Sequence, residues 1–189
     1  MITSLLAGAL LLGQYTTPKV ELVTYVDKAD SFSISIPKDW TSKREEVDED
    51  TYLTNLQGKD PRDGKIDVLT IWFKDPLDES ATAKMDNALW PFVKSEIETF
   101  GKLLFDKVGE GKLSGRKGIR HDFGYETPES VKYSGYVVIT SGKHHVVMGR
   151  VHADESRKAR FLEVETYLRT LNIESKTPRK PDADKETDK

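Results

Sequence analysis

The chain has 189 residues, 37% hydrophobic and 32% charged, and a net charge of −3. That length suits one ordinary domain with tails, and the acidic balance argues against a nucleic-acid binder, which carries a basic patch or stripe. Cysteine is absent, which excludes disulfides, thiol catalysis, zinc–thiolate centres and iron–sulfur clusters.

Leu5 to Leu12 is an apolar run broken only by small residues, and it stops at Gly13-Gln14. It is shorter than the ~20 residues a bilayer span needs, and it fits the apolar segment of an export signal. Residues 1–14 are therefore a candidate export signal. Leu11-Leu12-Gly13 resembles the approach to a lipid-attachment site, but Gln14 stands where the modified cysteine would be, so no stable membrane anchor is expected. Residues 15–29 are a linker or edge strand, with weak alternation from Val20 to Val26.

The stretch from Asp30 to Trp40 organises the rest of the chain. Phe32, Ile34 and Ile36 alternate with Ser31, Ser33 and Ser35, the period of a half-buried strand. Pro37 has no N–H to continue the ladder, and Trp40 is expected to plug one end of the core. Lys43 to Asp50 is strongly charged and is expected to be an exposed loop. Thr51 to Leu56 is a strand, Gln57 to Lys65 a turn region, and Ile66 to Phe73 a strand apolar on both faces, hence central.

After the break at Asp75-Pro76, Asp78 or Ser80 is placed to cap a helix. Met85, Leu89, Phe92 or Val93, Ile97, Phe100 and Leu104 then recur at spacings of three and four, an amphipathic stripe packed on a sheet. Pro91 inside it is expected to kink or divide the helix. Strands are expected over Phe105–Leu113, Lys117–Tyr125, Val131–Thr140 and Lys143–His152, with Ser141-Gly142 as a two-residue hairpin turn. Asp154 caps a last helix whose stripe is Phe161, Val164, Leu168 and Leu171. Residues 174–189 hold no apolar residue larger than alanine and form a disordered charged tail. Strands, long helix, meander and terminal helix together predict an α+β fold with a mainly antiparallel sheet and helices on its faces.

Phe32-Ser-Ile-Ser-Ile-Pro-Lys-Asp-Trp40 resembles the opening motif of the PsbP-like group, which includes the photosystem II extrinsic protein, DcrB-like lipoproteins and Ran-binding nucleotide-release factors. The hairpin from Tyr133 to Met148 and the final helix ending Thr170-Leu-Asn-Ile resemble that group as well, so the likeness covers residues 30–173. It implies an α-β-α sandwich and a non-enzymatic part in binding or assembly. No residue of the photosystem manganese role can be carried over, and the missing lipid-attachment cysteine departs from the lipoprotein pattern.

The chemistry-bearing residues form no convergent set. His144 and His152 share a strand face with Met148 while His145 points away, and eight residues at ~3.3 Å each put the two ~26 Å apart. His121 on a neighbouring strand can pair with only one of them, and no acid stands at a binding spacing, so rim histidines and no metal are expected. Ser134, Ser141 and Ser156 lack a nucleophile elbow. Asp48-Glu49-Asp50 is one loop cluster, whereas glycosidase carboxylates face each other across a cleft. Gly109-Glu-Gly111 and Gly115-Arg-Lys-Gly118 lack the strand-loop-helix setting of a phosphate cradle.

The expectation is an exported, periplasmic or extracellular domain, not an enzyme and without a cofactor. It binds an unknown protein partner in an assembly or envelope function and binds no nucleic acid. The candidate partner surface is Lys43, Arg44, Glu45 and Glu46, with Gln57–Lys65 and Arg116–Asp122 as further charged clusters. The alternative, if the apolar run is not a signal, is a cytoplasmic adaptor or chaperone for a secreted effector.

Overall fold

A computed structural model describes residues 20–27, 32–60 and 64–173. The candidate export signal, most of the linker and the charged tail lie outside the described residues. Among the described residues, ten strands, β1 to β10, and two α-helices follow in chain order: β1 Leu22–Val26, β2 Phe32–Pro37, β3 Thr41–Asp48, β4 Thr51–Gln57, β5 Lys65–Trp72, α1 Ala81–Phe100, β6 Lys102–Leu113, β7 Arg116–Glu126, β8 Lys132–Ser141, β9 His145–Asp154, α2 Lys158–Arg169 and β10 Asn172–Ile173.

Seven strands form one antiparallel sheet in the order β3-β4-β5-β9-β8-β7-β6, and β1-β2-β10 form a smaller one. The alternation around Phe32 does what its period predicts. Phe32, Ile34 and Ile36 are buried, and β2 lies between β1 and β10 in antiparallel register. These three side chains share one core with Leu56, Ile66, Val68, Tyr136, Val138, Val147 and Val151 of the large sheet, Val164 and Leu168 of α2, and Leu171 just beyond it. Trp40 is half-buried at the rim of this core, edge-on to the Tyr167 ring at 5.6 Å. On the opposite face of the large sheet α1 lays Val93 and Ile97 over Phe123, Tyr125, Val137, Ile139, Val146 and Met148. The result is an α-β-α sandwich in which the second layer combines α2 with the small sheet, a division the strand pattern did not announce.

Several expectations need correction. Lys43 to Asp50 is not a loop: Thr41–Asp48 is the edge strand β3, paired with β4 and bulged between Glu46 and Asp48. Charge concealed a strand because an edge strand is held by one neighbour and needs little apolar surface. Pro91 does not divide α1. It and Asn87, four residues before it, are both exposed, so water can take the carbonyl that proline leaves unpaired. Phe92 and Phe100 are exposed, and Leu104 belongs to β6, so the buried stripe is narrower than its spacing suggested. Ser80 takes the N-cap position without capping through its side chain. Asp78 instead accepts from the Ser80 backbone N–H at 2.8 Å and from the Lys84 ammonium at 2.9 Å. The β8–β9 turn lies two residues later than expected, at Lys143-His144, where the Gly142 N–H donates to the His145 carbonyl at 2.8 Å. Asp154 accepts from the Ser156 N–H at 2.8 Å and so caps the 3₁₀ turn Glu155–Arg157 that leads into α2.

Candidate functional site: buried ionic pairs and a charged groove

The candidate partner surface is split by the pleat of β3. Lys43 and Glu45 face one side and pair at 2.5 Å, both largely in water. Arg44 turns the other way, where its Nε donates at 2.9 Å to the buried Asp27 carboxylate and its guanidinium lies 4.0 Å from the Tyr52 ring centroid. Glu46 is exposed. Arg44 therefore ties the small sheet to the large one, a structural duty that sequence alone did not separate from its charged neighbours.

The histidines are not all rim residues. His121 and His145 are buried, and His144 and His152 are partly so. His121 sits on β7 beneath α1. Its Nε2 is 2.8 Å from an Asp86 oxygen, its Nδ1 is 3.5 Å from Asp106, and the Trp90 ring stacks on it at 4.1 Å. The Trp90 indole N–H donates to Asp106 at 3.1 Å. Acids do stand beside this histidine, contrary to the expectation, because α1 and β6 deliver them from distant parts of the chain. Among the described residues, no three histidine or acidic side chains gather as ligands for one metal ion.

His145 lies across from Trp72, with its Nε2 2.9 Å from the Arg116 guanidinium. Burial, and then the Arg116 charge, push its pKa down to about 4. His152 is also pushed down to about 4, by burial and then by Arg150.

Arg150 holds the largest buried ionic group. It donates through Nε and Nη2 to Asp67, at 2.8 and 2.5 Å, and forks onto Glu96 of α1 at 2.8 and 3.1 Å. Lys65 adds an ammonium 2.9 Å from the other Asp67 oxygen. Burial alone would raise the Asp67 carboxyl, but the charges of Arg150 and Lys65 outweigh it and hold that carboxyl below its usual range. Beside this group Tyr125 and Tyr133 stack at 5.0 Å, and burial pushes the Tyr125 phenol up to about 12. These charges neutralise one another.

The candidate serines are committed elsewhere. Ser134 donates to Glu155 at 2.5 Å, and Ser141 shares a 2.7 Å hydrogen bond with Thr82. The acids Asp48 and Asp50 sit at the β3–β4 turn, where Asp48 accepts the Asp50 backbone N–H at 3.1 Å.

Of the three charged clusters, Arg116–Asp122 is the one that borders the larger concavity. It lies on β7, not in a loop. A groove of about 970 Å³ is bounded by Lys112 on β6, Lys117 and Arg120 on β7, and Glu165 and Arg169 on α2. Arg120 is fixed in its floor, 3.8 Å from the Tyr136 ring and bonded to Asp122 at 2.6 and 2.9 Å. Burial, and then the Glu165 charge, raise the Tyr136 phenol. Gln57–Lys65 contributes Gly58 and Lys59 to a smaller cavity of about 600 Å³ beside Trp40 and Tyr167. No helix among the described residues is long and apolar enough to cross a membrane.

No family model matches the sequence, and no curated protein matches it either. Solved structures do match in fold. Cyanobacterial PsbP (CyanoP) from Synechocystis aligns with a TM-score of 0.58 at 11% identity, over 84% of this chain and 96% of its own. A protein from Bacteroides thetaiotaomicron aligns with a TM-score of 0.52 at 14% identity, over 81% of this chain. The match spans only 48% of that longer protein. LpqN of Mycobacterium tuberculosis, described as involved in cell envelope biogenesis, aligns more loosely, with a TM-score of 0.43 at 11% identity over 82% of this chain and 91% of its own. The chain thus has a PsbP-like fold, an α+β sandwich with a mainly antiparallel sheet.

Proposed function

We propose that this chain is an exported, extracytoplasmic domain that binds a protein partner in an assembly or envelope role and performs no turnover. The observation that carries this is the groove between β6, β7 and α2. Its walls carry both signs of charge, from Glu110, Lys112, Lys117, Glu165 and Arg169. Its floor is a cation already neutralised by Asp122. A mixed-charge concavity on a rigid sheet recognises a complementary protein surface, and such charges steer encounter and specificity more than they add affinity. Export rests on the apolar run Leu5–Leu12, whose length suits a signal and not a span.

The test is affinity capture from the native host with the wild-type domain and a Lys117→Glu, Arg169→Glu variant, at low and high salt. Both positions are exposed, so the variant should melt as the wild type does. Capture should be lost in the variant and should weaken as the Debye length falls from ~10 to ~3 Å. A hydrolytic activity abolished by one substitution would overturn the reading. Fractionation checks the location: retention of the uncleaved chain in the cytoplasm would favour an intracellular adaptor instead.

A further inference from the structure

The large sheet has two open edges, and they are built differently. At β3 the edge carries Lys43, Glu45, Glu46 and Asp48 and a bulge before Asp48, devices that discourage pairing with another chain. At β6 the bulge lies at the start, between Leu103 and Phe105, and Phe105 to Leu113 then runs without a register shift. Among the described residues this stretch pairs only with β7. Phe105 and Val108 are exposed on it, Val108 at 69%.

The direction of its free hydrogen-bonding groups follows from the turn. Ser114 and Gly115 both have positive φ, 52° and 74°, which makes a two-residue turn closed by the pair Leu113–Arg116. That closing pair exchanges hydrogen bonds across the hairpin. Gly111, Gly109 and Lys107 therefore turn their N–H and C=O toward β7, while Lys112, Glu110, Val108 and Asp106 turn theirs outward. Four successive outward residues leave their donors and acceptors open to another strand.

We propose that the chain forms a two-fold dimer in which β6 pairs antiparallel with β6 of a second copy, centred on Gly109, so that the two sheets become continuous. The register comes from charge. A two-fold axis normal to the sheet brings together only residues on the same face, so the axis must pass through a residue position. Centred on Gly109, Asp106 stands opposite Lys112 twice, Val108 opposite Glu110 and Phe105 opposite Leu113, with no like charges opposed. An axis at Val108 opposes Asp106 to Glu110. An axis at Lys107 or Glu110 opposes that residue to its own copy. An axis at Gly111 runs into the turn after two residues on each side. Opposite charges directly across a strand pair stabilise and like charges destabilise, so the Gly109 register is the one the sequence favours. Gly109 itself suits an axis, because a Cβ built there meets nothing within 4 Å.

The register also supplies its own test. In this dimer the two Gly109 residues form a non-hydrogen-bonded pair, whose Cα atoms lie ~4.5 Å apart. That is within disulfide reach, and the native chain contains no cysteine. Gly109→Cys should oxidise under air to a covalent dimer. Lys107→Cys should not, because each Lys107 lies ~13 Å along the strand from its copy at ~3.3 Å per residue. Val108→Pro removes an outward N–H and leaves the β7 ladder untouched, so it should convert a sedimenting dimer into a folded monomer. Equal cross-linking of the two cysteine variants, or a wild-type chain that stays monomeric at hundreds of micromolar, would overturn the proposal. If Val108→Pro fails to fold, the cysteine pair decides alone.

Discussion

The two faces of the large sheet are packed by different means. The face under α2 and the small sheet is filled almost wholly by apolar side chains, from Phe32 and Ile34 to Val151 and Leu168. The face under α1 has an apolar centre at Val93, Ile97 and Phe123, but it also encloses Arg150, Asp67, His121 and, in part, His152. Apolar packing is non-directional and tolerates small shifts. An enclosed ion pair holds only when its geometry is met, since each charge has lost its water. The α1 face is therefore the one where position is specified by charge: Glu96 and Asp86 fix where the helix lies along the sheet, through Arg150 and His121.

The largest effects should expose this difference. Phe32→Ala should cost about 3–5 kcal/mol through lost burial and a cavity. Arg150→Ala should cost a similar ~3–5 kcal/mol, because it leaves the buried Asp67 carboxylate with only the partly exposed Lys65 to balance it. The two losses should then diverge on repair. Replacing Arg150, Asp67 and Glu96 together with apolar residues of similar volume should recover most of the stability, as urea midpoints would show. If the triple replacement is no better than Arg150→Ala, the α1 face does not depend on charge pairing as described.

Acid should act first through the histidines. His152 and His145 both have folded values near 4, below the ordinary value of 6.5. Between those limits the unfolded chain binds protons that the native chain refuses, so stability is full above pH ~6.5 and falls toward pH 4. Each histidine contributes a slope approaching about 1.4 kcal/mol per pH unit within that window. Asp67 acts later: its depressed carboxyl stabilises the fold above its ordinary 3.8, and that contribution is lost as pH falls through its lower folded value. His152→Asn should flatten the midpoint-versus-pH curve between 6.5 and 4 and leave the more acidic limb in place. An unchanged slope would place the acid sensitivity elsewhere.

Trp40 tests the rim of the apolar face. Full burial would set the cost of Trp40→Ala at about 3–5 kcal/mol, but the ring is only half-buried. A loss of roughly 2 kcal/mol is expected, scaled from full burial by the exposed fraction.

How much of this was legible depended on the kind of contact. The period of two at Phe32, Ile34 and Ile36, the apolar run of β5 and the stripe of α2 are local, and each names its own buried face. Strand β3 was missed because Lys43 to Glu46 are all charged, and its apolar support belongs to its neighbour β4. The acids around His121 were missed because Asp86 lies 35 positions away, and only the packing of α1 brings it to 2.8 Å. The groove was half legible. Arg116–Asp122 stood out by charge, but its glycines gave no sign that Arg120 would lie between Tyr136 and Asp122.

The smallest effect should come from Lys43 and Glu45. Both project from β3 on the side that α1 occupies, yet beyond the helix's reach. Their pair is exposed, with side chains 76% and 43% accessible. Water and salt screen such a pair, so exchanging the two charges should change stability by less than ~0.5 kcal/mol. The adjacent Arg44→Ala should cost more, about 1–3 kcal/mol, because it removes a charged hydrogen bond to the buried Asp27 carboxylate. The same chemistry one residue apart thus divides into a surface charge and a structural one. If reversing Lys43 and Glu45 slows association with a captured partner while the melting temperature holds, β3 contributes to recognition alongside the groove. If association is unchanged, the charges of β3 serve only to keep that edge from pairing.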